Sequence, residues 1–238
     1  NQISCINVTY NEAIEKKYTL KVQYFFHAVN MDELKRNFNY NSRSWHQIIF
    51  ARILMINFFP ANKCIYIDTD VFGCGDVNEL WKINLGKTLI AGSPDSMPDK
   101  TFIPIHMIKS LNKLLDQQSI DMKFTIDANT YLNSGVLMMN IDELRKFDFV
   151  NKAIKLWNTK RYSLPFPDQD LINVLTGYRR MVIDRKFNKP FYGNFSKCIL
   201  RHYNHEKVTS PSVHRHLEDY DFYYDSLDEY NQLMTELK

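Results

Sequence analysis

The seven residues Cys64-Ile65-Tyr66-Ile67-Asp68-Thr69-Asp70 constrain the fold of this chain more than any other stretch. An apolar run of strand length ends there in two carboxylates separated by a single residue. Ile65, Tyr66 and Ile67 have the near-continuous apolar character of a strand covered on both faces, as in a parallel sheet. In open α/β sheets, ligands bind beyond the carboxyl ends of the strands, which is where Asp68 and Asp70 fall. Two carboxylates held together repel each other and lose solvation unless a cation compensates. Oxygen donors of this kind suit Mg²⁺ or Mn²⁺, ions commonly shared with substrate phosphates. A lone Asp-x-Asp more often opens a loop and caps the backbone after it. Its place at the end of an apolar strand brings the two readings level.

The rest of the pattern alternates strand and helix. Lys21–Val29 predicts a strand, and Asn30 with Glu33 a capping box that opens a helix. Ser44–Phe59 predicts one amphipathic helix, with Ile49, Ile53, Ile56 and Phe59 on one face and Pro60 ending it. A short helix is expected at Val77–Trp81 and a strand at Thr88–Gly92. Residues 96–130 are poorly patterned apart from a helix at Lys109–Gln117. Val136–Met139 reads as a strand, followed by a second capping box, Asn140 with Glu143, and a helix at Lys152–Thr159. A helix over Asp170–Leu175 follows Pro165 and Pro167, and short strands are expected at Met181–Ile183 and Cys198–Leu200. From about residue 210 to 238 the chain is an acidic, Tyr-rich tail of surface-helix type. No internal repeat or Gly/Ser linker appears, so residues 1–238 read as one α/β domain, a mostly parallel sheet with helices on both faces.

Bulk properties exclude more than they select. A net charge of +3 is too small to argue for nucleic acid, though it suits an anionic small ligand or an anionic membrane surface. No apolar run approaches the roughly 20 residues that span a bilayer, and no signal peptide is visible. Cys5, Cys64, Cys74 and Cys198 fit no zinc spacing and read as free thiols of a reducing compartment.

Three further segments carry chemistry-bearing side chains. Asn133-Ser134-Gly135 places an amide and a hydroxyl at the start of a strand, with a glycine that lets backbone approach a ligand. Alone it is a turn before a strand. Asp168-Gln169-Asp170 opens a helix, where acidic residues complement the helix dipole; that accounts for an Asp better than for Gln169. His202 follows the strand Cys198–Leu200 and is a fitting Mn²⁺ ligand, with Lys207 able to neutralise a phosphate as a point charge.

In this order the segments resemble glycosyltransferase family 8, metal-dependent nucleotide-sugar transferases. The family's Asp-x-Asp strand is followed by a G-D-x-x-x-L-W stretch, matched by Gly75-Asp76-Val77-Asn78-Glu79-Leu80-Trp81. Its Asn-Ser/Ala-Gly-Val element appears as Leu132-Asn133-Ser134-Gly135-Val136 through Asn140, and its Asp-Gln-Asp element as Phe166 through Asn173. A late W-N step looks like Phe187-Asn188, and the resemblance spans about residues 20–207. It implies a Rossmann-like sheet with flanking helices, of GT-A type, whose first family strand, with its D-x-x-Y loop, has no counterpart before Lys21.

The resemblance implies roles residue by residue. Asp68, Asp70 and His202 would bind Mn²⁺ (or Mg²⁺) bridging the donor diphosphate, and Arg52 would lie against the donor. Asp95 would hold donor-sugar hydroxyls, Asn133 would contact the sugar, and Asp168 and Gln169 would line its reacting face. The closing H-Y/F-x-G-x-x-K-P-W element is altered here to His202 through Val208, without Gly or Pro-Trp, and Lys207 sits one position nearer the histidine. The expected reaction moves a hexose (galactose or glucose) or a pentose from a UDP-sugar to a glycan or lipid-linked saccharide, with retention. The amide of Gln169 is a poor nucleophile, so front-face substitution is favoured over a covalent intermediate. A cytoplasmic site of action, peripheral to the membrane, is expected, with the secretory lumen as the alternative. A catalytically impaired UDP-binding module and an Asp-x-Asp phosphatase are the rival classes; the phosphatase motif continues Gly-Thr, where this chain has Val71-Phe72.

Overall fold

Lys63–Ile67 (β1) is the strand expected at the Asp-x-Asp, and it delivers Asp68 from its carboxyl end. The computed structural model describes residues 30–40, 47–95, 105–117, 124–191 and 197–204, together with helical residues 225, 227, 228, 231, 232 and 235. The expected strand at Lys21–Val29, Cys5, Lys207 and most of the tail from about residue 210 lie outside the described residues. Six further strands follow among the described ones: Val71–Gly73 (β2), Ile90–Pro94 (β3), Leu132–Asn140 (β4), Arg180–Val182 (β5), Lys189–Pro190 (β6) and Leu200–His202 (β7).

One sheet has the order β1-β4-β3-β5, and a second has the order β2-β7-β6. β4 runs antiparallel to β1 and to β3, while β3 and β5 are parallel. The α/β class is therefore realised with a mixed sheet among the described strands, in place of the mostly parallel one that the alternation predicts. A strand covered on both faces is near-continuously apolar whichever way its neighbours run, so Val136–Met139 carried no directional signal.

β4 is buried from Leu132 to Met139, and its side chains sort by period two. Met139 lies between Cys64 and Ile90 across the sheet, and all three join the larger apolar core. Met138, one residue back, lies between Ile65 and Ala91 and belongs to a smaller cluster with Val136, Leu80 and Leu200. A one-residue slip would exchange these two sets, so burial on both faces fixes the register.

The helices are Met31–Asn37 (α1), Ala51–Leu54 (α2), Asn78–Trp81 (α3), Ile105–Gln117 (α4), Ile141–Lys146 (α5), Phe149–Lys160 (α6) and Pro167–Thr176 (α7). Asn30 caps α1, its Oδ1 accepting from the backbone N–H groups of Asp32 and Glu33 at 3.1 Å each, a device worth about 1 kcal/mol. Asn140 caps α5 in the same way through the Glu143 N–H. The single helix expected over Ser44–Phe59 is instead α2 between two 3₁₀ turns, Gln47–Phe50 and Met55–Asn57, with residues 41–46 undescribed. Tightened turns of this kind are common at the ends of short helices, and the buried stripe of Ile53 and Ile56 is kept. α7 starts earlier than expected because Pro167 occupies its first turn, where the missing N–H costs nothing. All ten of its residues are buried. β7 begins two residues later than expected, which puts His202 inside the strand.

The chain forms two compact units, Val29–Asn204 and a second made from Asn1–Ala28 with His205–Lys238. Every numbered element lies in the first. Cys64, Cys74 and Cys198 are free thiols, and burial pushes the Cys64 thiol up to about 11.

Candidate active site

The chain turns from one sheet into the other at the Asp-x-Asp. The Asp68 N–H donates to the Gly135 carbonyl at 2.8 Å, which extends the β1–β4 ladder by one residue. The residue after Asp70 already opens β2, where Val71 faces His202 of β7. The Tyr203 N–H donates to the Asp70 carbonyl at 3.0 Å, so the turn is tied to the end of β7. Asp68, Asp70 and His202, expected together from motifs far apart in the sequence, each offer a ligand atom, and these atoms lie within 4.8 Å of one another. His202 is buried and Asp70 half-exposed, with Nε2 of the one 3.3 Å from Oδ1 of the other. That hydrogen bond to His202 holds the Asp70 carboxyl below its ordinary range, against the opposing effect of burial.

Gly135 is a glycine because of the imidazole. A Cβ at this position would stand 2.1 Å from Cε1 of His202 and 2.8 Å from Nε2. The close backbone approach expected of the Asn-Ser-Gly segment is thus used for packing the ring.

Arg52 of α2 joins the two acidic motifs. Its Nη2 donates to Asp68 Oδ1 at 2.8 Å, and its Nε is ion-paired with Asp168 Oδ2 at 3.1 Å. Its Nη1 donates to the Ser134 carbonyl at 2.9 Å and to Ser134 Oγ at 3.0 Å. The guanidinium lies over the Tyr66 ring, 4.6 Å from its centroid, and the Tyr66 hydroxyl donates to Asp68 Oδ1 at 2.6 Å. Burial works against the charge on Arg52, but the carboxylates of Asp168 and Asp68 outweigh it and raise its pKa. Burial likewise raises the Asp168 carboxyl, with Arg52 opposing. The Arg52 guanidinium thus stands between the carboxylates of Asp68 and Asp168. The donor set of two carboxylates and one imidazole fits a hard divalent cation such as Mn²⁺ or Mg²⁺.

Asp95, Asn133 and Gln169 form one hydrogen-bonded set. Asn133 Nδ2 donates to Asp95 Oδ1 at 2.5 Å, and Gln169 Nε2 donates to Asp95 Oδ2 at 3.2 Å. Gln169 Nε2 also donates to the Tyr131 hydroxyl at 3.2 Å, while its Oε1 accepts from the Ser134 N–H at 2.9 Å. The Tyr131 hydroxyl in turn donates to Asp170 Oδ1 at 2.6 Å. Asn188 donates to Asn133 Oδ1 at 2.8 Å and sits 2.9 Å from His202 Nδ1. A pocket lined by Pro94, Asp95, Asn133, Asn188, Pro190, His202 and Asn204 opens beside this set.

Of the candidate residues, Arg52, Asp68, Asp70, Asp95, Asn133, Asp168, Gln169 and His202 are linked through these contacts into one cluster, and Lys207 is outside the described residues. Sequence reasoning read Tyr66 only as part of the strand and Ser134 only as the hydroxyl of the Asn-Ser-Gly turn. Asn188 was marked only by the Phe187-Asn188 step, and Tyr131 not at all.

The chain is 22% identical over 171 residues to a lipopolysaccharide 1,2-glucosyltransferase of Escherichia coli (strain K12), covering 71% of this chain and 46% of that protein. It is 25% identical over 158 residues to glycosyltransferase GlyB of Streptococcus pneumoniae serotype 4, covering 66% of this chain and 32% of that protein. The chain therefore spans less than half the length of these relatives. Among solved structures, the galactosyltransferase LgtC, with donor and acceptor sugar analogues, superposes with a TM-score of 0.58 at 18% identity, covering 79% of this chain and 71% of that one. Glycosyltransferase GlyE of Streptococcus pneumoniae TIGR4 has a TM-score of 0.53 at 18% identity, covering 79% of this chain and 44% of the other. These likenesses establish the fold. The model of glycosyl transferase family 8 matches residues 2–216, beyond the motif-bearing stretch at both ends, and the chain belongs to that family.

Proposed function

We propose that this chain transfers a glycosyl group from a UDP-sugar to a saccharide acceptor with retention of anomeric configuration. The observation that carries the reading is the meeting of Asp68, Asp70 and His202 next to the Asp95–Asn133–Gln169 set. Asp68, Asp70 and His202 would hold Mn²⁺ or Mg²⁺, which when bound neutralises charge developing on a leaving diphosphate. Arg52 supports Asp68 from beneath and holds Asp168 in place. Asp95 and Asn133, which line the pocket, would take sugar hydroxyls.

Gln169 supports front-face substitution. Its Oε1 already accepts from the Ser134 N–H, and its Nε2 donates to Asp95 and Tyr131. An amide oxygen held in this way lines the sugar and stabilises positive character at the anomeric carbon, and it is poorly placed to form a covalent intermediate. One relative bears the name lipopolysaccharide 1,2-glucosyltransferase and LgtC that of a galactosyltransferase, which favours a hexose donor and a glycan or lipid-linked acceptor here. A cytoplasmic site of action at the membrane periphery follows from the same reading. No described helix is long and apolar enough to cross a membrane.

The test is a screen of UDP-glucose, UDP-galactose and UDP-xylose for Mn²⁺-dependent hydrolysis and transfer. Turnover of one donor that is lost with chelator and in Asp68→Ala or Asp70→Ala supports the proposal. UDP binding without turnover of any donor would instead favour a catalytically impaired binding module.

A further inference from the structure

We infer that Asn188, backed by Asn133, fixes His202 in the tautomer that carries its proton on Nδ1 and leaves Nε2 free for a cation. Both asparagines are positioning residues in this assignment, which rests on reading Asp68, Asp70 and His202 as cation ligands.

The inference follows from the direction of each hydrogen bond. Asp95 presents carboxylate oxygen to Asn133, so Asn133 must turn its NH₂ group toward it, at 2.5 Å. The Gly135 N–H approaches the other end of the same amide at 2.9 Å, and a backbone N–H can only donate. Two independent neighbours thus orient Asn133 with its oxygen facing Asn188. Asn188 answers with its own NH₂, at 2.8 Å, which leaves its oxygen 2.9 Å from His202 Nδ1. An oxygen there is satisfied only if Nδ1 bears the proton. Asn133, Asn188 and His202 are all buried, so water is a poor substitute partner at these contacts. The Nε2 atom points to the other side of the ring, 3.3 Å from Asp70 Oδ1 and within the cluster of potential ligand atoms, where a bound cation would take the place of the proton through which Nε2 contacts Asp70. In metal sites the partner of the non-ligating ring nitrogen sets the tautomer, and its removal typically weakens metal binding 10- to 100-fold. The arrangement also couples two tasks, because Asn133 faces the pocket while aiming the ring.

The test uses the full chain with ¹⁵N-labelled histidine. In the presence of saturating Mg²⁺, a diamagnetic probe, the His202 spectrum should show a protonated Nδ1 and an unprotonated Nε2. Mn²⁺ affinity, read from the electron-spin signal of the free ion without any donor, should fall about 10- to 100-fold in Asn188→Leu, with loss of the Nδ1–H resonance. Asn188→Leu that keeps both the tautomer and the affinity overturns the assignment. So does a wild-type spectrum with the proton on Nε2, a result that needs no variant to fold. Absence of Mn²⁺ binding in the wild type, with the Asp68→Ala variant indistinguishable, would instead remove the cation-site reading beneath it.

Discussion

At the scale of single residues, Gly135 makes the strictest steric demand in the site. An added Cβ would stand 2.1 Å from the His202 ring, at a residue whose carbonyl holds the Asp68 N–H at 2.8 Å. Gly135→Ala should therefore displace the imidazole and abolish Mn²⁺ binding, measured by calorimetric titration, while far-ultraviolet circular dichroism stays native. Gln169 makes an energetic demand. Replacing it by Ala should lower kcat far more than donor affinity, because its proposed role is realised as charge develops on the sugar. Steady-state kinetics decide this, and an equal loss in both would make Gln169 an ordinary binding residue. The same substitution leaves the buried Ser134 N–H without its Gln169 partner, so a stability loss of about 1–3 kcal/mol should accompany it. The proposed ligand residues were legible because metal chemistry needs particular side chains at strand ends. Asn188 and Tyr131 were not, because their work is done through partners distant in sequence, Asn133 for the one and Gln169 and Asp170 for the other.

Among the elements, α7 is the least typical. It is buried along its whole length yet carries Asp168, Gln169, Asp170 and Asn173. Each polar group is used. Asp170 reaches back to the Phe166 N–H at 2.8 Å, closing the helix start. Asn173 offers its Oδ1 to the Leu132 N–H and its Nδ2 to the Leu132 carbonyl, each at 2.8 Å, as a neighbouring strand would. Asn173→Leu orphans both backbone groups, and urea unfolding should show a loss of about 3 kcal/mol or more. Asp170 adds a pH dependence. Burial pushes its carboxyl from 3.8 up to about 7, against the Tyr131 and Phe166 hydrogen bonds. Between those values the unfolded chain releases a proton that the folded chain retains, so stability should fall as pH rises through the window and level off above it. Thermal unfolding across the window should show that slope in the wild type and a flatter one in Asp170→Asn. The position of α7 was only partly legible: a helix over Asp170–Leu175 was expected after Pro165 and Pro167, but a helix buried on every side gives no polar face to bound it. The same limit blurred Ser44–Phe59, where the buried stripe was readable and the mixture of 3₁₀ and α winding was not.

For the molecule as a whole, the site exists because two sheets share the turn at Asp68–Asp70. β1 contributes Asp68 to the first sheet, and β2 carries the chain directly into pairing with His202 in the second. Motif order predicted which residues meet; it could not predict that β4 runs against both neighbours, since that depends on pairing across the sheet rather than on any local pattern. The assembled geometry argues for the stereochemical outcome. An inverting transferase needs a carboxylate base free to take the acceptor proton on the side opposite the leaving group. Among the described carboxylates of the cluster, Asp168 is buried and ion-paired with Arg52, and Asp95 accepts from both Asn133 and Gln169. Asp68 is held by Arg52 and Tyr66, and Asp70 faces His202. Each is engaged within the site, and under the proposed function the leaving diphosphate itself would accept the proton, on the same face as the incoming hydroxyl. Under that reading the product formed from an α-linked UDP-sugar should be α-linked, as read by the anomeric coupling in proton nuclear magnetic resonance. A β-linked product would require one of these carboxylates to leave its partner, and Asp168 released from Arg52 would be the first to examine.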